Sequence, residues 1–217
     1  MIRVMIVDDH AMVRVGFRLL LQSVQDMEVV AEADSGAEAL RLYDAVRPDV
    51  LIMDVAMGGA SGLDATHRIL ARDPQARVLG LSAHEDSSFV RHMMKAGALG
   101  YLSKRSAPES LLDAVRAVHA RRPWIDPLLA QQLALQSVCG TGDSPLSRLS
   151  EREFEVFLHL ARGLSVNRIA ELLSLSPRTV GTHLYNVKHK LEAGNQAELT
   201  LIAIRQRLIE LPGAGGG

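Results

Sequence analysis

The amino-acid sequence predicts an α/β domain with a five-stranded parallel sheet, followed by a small all-α domain. Up to about residue 121, short apolar runs rich in β-branched residues alternate with longer stretches in which apolar residues recur at helical spacing. After residue 145 no strand pattern remains and only helical patterns follow. With 217 residues, 47% of them hydrophobic, the chain has enough apolar material for two cores.

The first half contains five predicted strands, each a short and nearly continuous apolar run. Such strands are typical of a parallel sheet whose two faces are both covered by helices. We place the strands at Arg3–Val7, Glu28–Ala33, Val50–Asp54, Arg77–Ser82 and Gly100–Ser103. The helical patterns between and after them cover about residues 11–23, 35–45, 63–72, 87–96 and 108–121.

A change in composition separates the two halves. Pro123, Pro127 and the segment 140–145, which is rich in Gly, Ser and Pro, indicate turns and a linker tip. The stretch Leu128–Ser137 between them has a helical pattern. The predicted domains are therefore residues 1–121, a linker with a short helix at 122–147, a helical domain at 148–212 and a flexible Gly-rich tail at 213–217.

Capping residues mark the helices of the second half. Serines placed to accept a hydrogen bond from the first turn precede three of them: Ser150, Ser165 and Ser176. Glu153 completes a capping box with the first serine, and Pro177 takes the first position of the third helix, where its missing N–H costs nothing. Gly194 separates a last helix at about residues 196–210.

Composition limits the classes of protein. The 24 Lys and Arg nearly balance the 25 Asp and Glu, and the one cysteine, Cys139, cannot form an internal disulfide. We find no secretory leader and no apolar stretch of 18 residues, so we expect the cytosol as the compartment. Residues 145–217 hold nine Lys and Arg against seven Asp and Glu, a weak indication that a polyanion binds this half.

Polar side chains stand at the carboxyl ends of four predicted strands, where parallel sheets bind ligands. They are Asp8, Asp9, Asp54, Ser82 and Lys104. Three carboxylates in one cleft repel one another unless a hard cation lies among them, and Mg²⁺ fits oxygen ligands best. Asp54 is then free to act as a nucleophile toward a phosphoryl donor, with Lys104 and Ser82 holding the transferred oxygens. The alternative is that these aspartates cap helices and the lysine is solvated.

Residues 1–121 closely resemble the receiver domain of two-component systems, a flavodoxin-like fold that a histidine kinase phosphorylates on aspartate. The resemblance implies that Asp54 is the phosphoacceptor, that Asp8 and Asp9 form the Mg²⁺ site with Asp9 as direct ligand, and that the carbonyl of Ala56 assists. It also implies that Lys104 and Ser82 contact the phosphate. The ring of Tyr101 matches the switch aromatic, which turns inward on phosphorylation. Gly58 stands where the family usually has proline, which is expected to loosen this loop.

The second and third helices of the second half form a candidate helix-turn-helix, whose second helix enters the major groove of DNA. Four apolar residues at helical spacing are predicted to face the core: Val180, Leu184, Val187 and Leu191. The predicted DNA contacts are Ser176, Arg178, Thr179, Thr182, Tyr185, Lys188 and Lys190. A small helical module that binds another protein is the alternative, because the excess of positive charge is modest.

Short motifs in this half resemble the LuxR-type DNA-binding domain. They are Leu149–Glu153, Gly163–Ser165, Ile169–Ala170 and Leu175–Val180 with His183. The whole chain thus resembles a NarL/FixJ-type response regulator, nearest the GacA/UvrY subgroup. That likeness implies a transcription factor whose phosphorylation controls dimerisation and binding to promoter DNA, with a sensor histidine kinase as partner. The last helix, rich in leucine and isoleucine, mediates dimerisation on DNA in the family, which implies the same role here; packing within its own small domain is the alternative.

Three residues of the recognition helix depart from the usual pattern of the subgroup: Gly181, Leu184 and Asn186. The target sequence therefore cannot be transferred from the resemblance. We do not expect an enzyme beyond slow self-dephosphorylation, because Ala56 leaves no second acid two positions after Asp54. A receiver that controls a partner by protein contact, with weak or no DNA binding, is the alternative function.

Overall fold

The computed structural model describes residues 1–57, 62–83, 87–139, 144–206 and 208–209, with the side chains of 136–139 excluded. The chain divides into two compact units, residues 1–135 and 136–217. Three sequence predictions lie outside the described residues: the loop at Gly58, positions 140–143 of the linker tip and the tail at 213–217. Within the described part of the chain, no helix is long and apolar enough to cross a membrane.

The first unit is built on a fully parallel sheet in the strand order β2-β1-β3-β4-β5-β6. Its strands are β1 (Ile2–Val7), β2 (Met27–Ala33), β3 (Val50–Asp54), β4 (Val78–Ser82), β5 (Gly100–Ser103) and β6 (Trp124–Ile125). The five predicted strands are all present, at most one residue from their expected bounds.

The prediction of five strands was wrong by one, because β6 extends the sheet at its edge. Gly100 pairs with Trp124, and Tyr101 pairs with Ile125. The two-residue strand lies in the segment that proline spacing had assigned to the linker. Residues 122–135 therefore belong to the first compact unit.

Helices cover the sheet as the apolar spacing predicts. They are α1 (Ala11–Gln22), α2 (Gly36–Val46), α3 (Gly62–Arg72), α4 (Ser87–Lys95) and α5 (Pro108–His119), followed by α6 (Pro127–Cys139) in the linker segment. The central strands are buried along their whole length: every residue of β3 and β4 is buried. Side chains of α5, among them Leu111 and Val115, pack against Ile6, Ile52 and Leu81 in one core. Burial on both faces accounts for the continuous apolar runs.

One close approach holds α3 against the end of β3. A Cβ atom at Gly62 would lie 1.8 Å from the carbonyl oxygen of Asp54, so only glycine fits at this position. The first turn of α3 is thereby packed directly on the backbone of the residue that ends β3.

From residue 144 onward, the described residues of the second unit form a 3₁₀ turn (Pro145–Arg148) and the helices α7 (Glu151–Ala161), α8 (Val166–Leu173), α9 (Pro177–Leu191) and α10 (Gln196–Arg205). The three predicted serine caps are present at the starts of α7, α8 and α9. The Ser150 hydroxyl accepts from the backbone N–H of Glu153, whose carboxylate accepts from the N–H of Ser150. The last helix ends at Arg205. The apolar pattern had predicted an end near residue 210.

Candidate functional site

Three acidic residues from two strand ends converge in the first unit. Ligand atoms of Asp8, Asp9, Asp54 and His10 all lie within 4.8 Å of one another. Asp8 and Asp54 are 1% and 2% exposed, whereas Asp9 is open to solvent. Carboxylate oxygens gathered this closely, with one side of the cluster accessible, suit a hard divalent cation. The predicted convergence is thus present in the fold.

Lys104 lies between the two buried acids. Its Nζ is 2.6 Å from Asp8 Oδ2 and 2.8 Å from Asp54 Oδ2. The backbone N–H of Lys104 donates to the carbonyl of Ser82 at 2.8 Å, so the lysine is anchored where β4 and β5 end. The ammonium offsets part of the negative charge that this cluster carries without a metal ion.

Burial and charge act in opposite directions on the central pair. Burial raises the pKa of the Asp54 carboxyl, and the nearby Lys104 ammonium opposes that rise. Burial alone would lower the pKa of Lys104, but Asp54 and Asp8 together raise it above its usual value. Lys104 therefore remains charged, and its charge favours the ionised, nucleophilic form of Asp54.

Sequence reasoning missed His10, which immediately follows the two acids. Its Nδ1 lies 2.8 Å from Asp9 Oδ1 and 3.1 Å from Asp8 Oδ1. Its backbone N–H also donates to Asp8 Oδ1 at 2.9 Å. The exposed imidazole thus contacts both carboxylates. In the sequence, only its position directly after Asp8 and Asp9 could have indicated this role.

The remaining predicted receiver residues lie on β4, on β5 and directly after β3. Ser82 ends β4, is fully buried and pairs with Ser103, the residue before Lys104. The backbone N–H of Ala56 donates to Asp54 Oδ1 at 3.1 Å and so fixes the orientation of that carboxylate. Tyr101 is fully buried within β5.

In the second unit, α9 divides into two faces. Val180, Val187 and Leu191 are buried as predicted, while Leu184 is only partly buried. The exposed predicted contacts are Ser176, Arg178, Thr179, Thr182 and Tyr185, and Lys188 is partly exposed. The Ser176 hydroxyl is already engaged, because it accepts from the N–H of Thr179 and caps the helix. The free face of the helix is therefore formed mainly by the arginine, the second threonine and the tyrosine.

Lys190 is a predicted DNA contact whose ammonium forms an ion pair with a carboxylate of its own unit. Its Nζ lies 2.6 Å from Glu153 Oε2, the carboxylate of the capping box. Burial would raise the pKa of Glu153, but the Lys190 ammonium and the backbone N–H of Ser150 outweigh it and hold the pKa below its usual value. A phosphate at Lys190 would have to compete with this ion pair.

Comparison with known families matches both units. Residues 4–116 match the response regulator receiver domain. Residues 147–203 match the bacterial regulatory proteins of the luxR family.

Similar proteins span nearly the whole chain. The response regulator GacA of Pseudomonas aeruginosa is 39% identical over 211 residues, covering 97% of this chain and 99% of that protein. The response regulator UvrY of Escherichia coli O157:H7 is 39% identical over 209 residues, covering 96% of each. Among solved structures, RcsB from Salmonella enterica serovar Typhimurium bound to promoter rprA with phosphomimetic BeF3- is 25% identical, with a TM-score of 0.75. That match covers 93% of this chain and 97% of RcsB.

Proposed function

Because this chain belongs to the two-component response regulators, with a receiver domain and a luxR-family regulatory domain, we propose that phosphorylation of Asp54 controls its binding to promoter DNA. The observation that carries the proposal is the position of Asp54, buried beside two further carboxylates and 2.8 Å from the ammonium of Lys104. A buried carboxylate is stable in such a place only when cations compensate its charge. This arrangement suits a group that receives a phosphoryl unit.

The donor atoms around Asp54 fit Mg²⁺, which prefers carboxylate and carbonyl oxygens. We propose that Asp8, Asp9 and Asp54 hold the ion, with Asp9 as a direct ligand and the carbonyl of Ala56 assisting. The ion supplies positive charge against the oxygens of the phosphoryl group. The exposed residues of the cluster are Asp9 and His10, whereas Lys104 contacts the two buried acids, Asp8 and Asp54.

In the transfer step, an oxygen of Asp54 bonds to the phosphorus of a phosphohistidine on a sensor kinase. The bond from phosphorus to the histidine nitrogen breaks, and that nitrogen keeps the electron pair. Lys104 then pairs with a phosphoryl oxygen, and the Ser82 hydroxyl donates to another. Tyr101 is the proposed switch residue, on the strand that leads to Lys104. The protein accepts a phosphoryl group and is not proposed to turn over a substrate, apart from slow loss of its own phosphate.

The proposed output is a homodimer on promoter DNA in the cytoplasm. The exposed face of α9 carries Arg178, Thr182 and Tyr185, which are donors suited to phosphates and groove edges. Leu201 on α10 is 52% exposed, an apolar side chain available to a second copy. The similar protein RcsB was solved on promoter DNA, which supports this assignment.

Phosphorylation with a small donor tests the role of Asp54. Incubation with Mg²⁺ and acetyl phosphate is expected to add one phosphoryl group to the wild type and none to Asp54→Asn, as measured by intact-protein mass spectrometry. Omission of Mg²⁺ serves as the control for the metal site. Equal labelling of both proteins would reject Asp54 as the acceptor.

The alternative function is control of a partner by protein contact, with weak or no binding to DNA. The modest positive charge of the second half favours it. Genome-wide DNA occupancy, compared between the wild type and the Asp54→Asn variant, separates the two functions. Promoter peaks that depend on Asp54 are expected, and the absence of peaks in both strains would favour the alternative.

A further inference from the structure

The acidic cluster of the first unit contains one nitrogen donor among its oxygens. His10 contributes one ligand atom to the group with Asp8, Asp9 and Asp54, and the four atoms all lie within 4.8 Å of one another. In the described ranges of the chain, no other group of three or more His, Cys, Asp or Glu side chains meets this spacing. Mg²⁺ makes little use of an imidazole, because it prefers oxygen ligands. The proposed magnesium site therefore gives this nitrogen donor no role.

The imidazole lies as far from its two neighbours as the ligands of one metal ion lie from each other. His10 Nδ1 is 2.8 Å from Asp9 Oδ1 and 3.1 Å from Asp8 Oδ1. Zinc bonds of about 2.0–2.2 Å to nitrogen and oxygen place neighbouring ligand atoms about 3–3.5 Å apart. A contact of this length can be bridged by a proton or by a metal ion. Binding of a metal between these atoms therefore requires little rearrangement.

Lys104 contacts different oxygens of the same cluster. Its Nζ lies against Oδ2 of Asp8 and Oδ2 of Asp54, whereas His10 Nδ1 lies against the Oδ1 atoms of Asp8 and Asp9. The side chain of His10 is 68% exposed, so its Nε2–H can remain in water while Nδ1 binds a metal. A metal ion on the Oδ1 side thus does not require the ammonium to leave.

We infer that the cluster binds Zn²⁺ with His10 Nδ1 as a direct ligand, and that bound zinc prevents phosphorylation of Asp54. Imidazole suits zinc, and a mixed set of nitrogen and oxygen donors is typical of its sites. One donor from each of the four residues gives the four protein ligands of a closed zinc site. Mg²⁺ instead keeps several waters, which phosphoryl oxygens can replace.

A closed zinc site leaves no position for a phosphoryl oxygen, and this is the reason for the expected inhibition. The inference rests on the proposed phosphorylation of Asp54. It adds a second metal that competes with Mg²⁺ for the same residues and blocks their chemistry.

The His10→Asn variant separates binding of a metal from positioning of the acids. An asparagine amide can donate an N–H to the same carboxylates, but its nitrogen has no lone pair to offer a metal. His10 is the N-cap residue of α1, and asparagine is favoured at N-caps, so the variant is expected to fold. His67→Asn, at an exposed position of α3 in the same unit, is the matched control.

The first measurement is the ratio of the affinities for Zn²⁺ and Mg²⁺ at one neutral pH. Competition with a coloured zinc chelator gives the first affinity, and isothermal titration calorimetry gives the second. The ratio is expected to fall about tenfold or more in His10→Asn, at least the loss that follows removal of an outer partner of a metal ligand. The ratio of His67→Asn is expected to stay within about twofold of the wild type.

Two results of this measurement would overturn the inference. An equal loss of affinity for both metals in His10→Asn would show that the imidazole only orients the acids. Wild-type affinity for zinc in His10→Asn would show that the imidazole does not touch the metal at all.

X-ray absorption at the zinc edge tests the ligand set directly. The wild type with one equivalent of Zn²⁺ is expected to show four ligands, one of them an imidazole, and His10→Asn is expected to lose the imidazole signal. Six ligands, or an unchanged imidazole signal in the variant, would contradict the closed site.

Phosphorylation by acetyl phosphate in the presence of Mg²⁺ tests the inhibition. One equivalent of Zn²⁺ is expected to abolish the addition of a phosphoryl group to the wild type, and a zinc-selective chelator is expected to restore it. Full labelling of the zinc-loaded protein would overturn the inhibition. Failure of labelling with Mg²⁺ alone would instead reject the proposed phosphorylation, and the inhibition with it, while the affinity ratio would still decide whether His10 binds zinc.

Discussion

Lys104 holds together a cluster of negative charge that burial alone would destabilise. Its ammonium contacts both Asp8 and Asp54, which are almost inaccessible to solvent. Its own side chain is only 12% exposed, so water screens the pair weakly.

We expect Lys104→Met to lower the free energy of unfolding by about 3 kcal/mol, because two buried carboxylates lose their cation. Urea denaturation followed by circular dichroism measures the change. Lys95→Met, on the exposed end of α4, is the matched control and is expected to stay within about 0.5 kcal/mol of the wild type. Equal stability of the two variants would show that the charge of Lys104 does not stabilise the folded protein.

Lys190 has a structural role that sequence reasoning did not assign. Its ion pair with Glu153 joins the end of α9 to the start of α7. Since the pKa of Glu153 is lowered in the folded state, this contribution to stability is present above the unfolded pKa of glutamate and is lost as pH falls through the folded pKa.

We expect Lys190→Met to reduce the stability of the second unit by about 1 kcal/mol near neutral pH. The loss should shrink as the solution is acidified, because the wild type also loses the pair when Glu153 is protonated. Thermal unfolding recorded from neutral to acidic pH measures both effects. A constant difference between the two proteins across this range would contradict the role of the ion pair.

Residue types at strand ends predicted the acidic cluster, because the carboxyl ends of parallel strands meet at one edge of a sheet. The partners of exposed side chains were not predictable in this way. His10 bonds to its own neighbours, and Lys190 bonds to a residue 37 positions away, and neither contact has a signature in apolar spacing. Burial of Tyr101 was predictable from its position on an apolar strand.

At the scale of elements, Asp126 connects β6 to the start of α6. Its carboxylate accepts from the backbone N–H of Leu128 at 3.0 Å and from the hydroxyl of Ser106. Ser106 lies two residues after Lys104, in the turn that leads into α5. One side chain thus caps a helix and also anchors the loop beside the acidic cluster.

We expect Asp126→Ala to destabilise the first unit by about 1–2 kcal/mol, since both the cap and the partner of Ser106 are lost. Asp126→Asn keeps an oxygen acceptor for the cap and should retain most of the stability. Chemical denaturation of the two variants tests this directly. An alanine variant as stable as the asparagine variant would show that the carboxylate contributes nothing at this position.

Apolar periodicity predicted the long elements well and the short ones poorly. Strands such as β3 carry an uninterrupted apolar run, and helices such as α9 carry capping residues at their starts. The two residues of β6 are too few to show a period. The strand is held by the backbone N–H of Trp124, which donates to the Leu99 carbonyl, and by that of the following Asp126, which donates to the Tyr101 carbonyl. The end of α10 was also predicted too late, because apolar residues continue in the sequence after the helix ends at Arg205.

At the scale of the whole molecule, the compact first unit extends beyond the boundary expected from composition. Residues 122–135 contain β6 and most of α6, and Trp124 packs against the main core.

A fragment of residues 1–135 is therefore expected to be more stable than one of residues 1–121, by about 2 kcal/mol for the buried part of Trp124 and its strand. Urea denaturation of both fragments gives the difference, and the Trp124→Ala variant of the longer fragment separates the ring from the backbone pairing. Fragments of equal stability would restore residue 121 as the end of the domain.

The edge strand β6 pairs with β5, which contains Tyr101 and runs directly into Lys104. A displacement of β5 at its carboxyl end would therefore act directly on its neighbour β6 through their shared backbone hydrogen bonds. After β6 the chain leaves the sheet toward residue 136. Only one strand pair therefore separates the acidic cluster around Lys104 from the point where the polypeptide leaves the sheet.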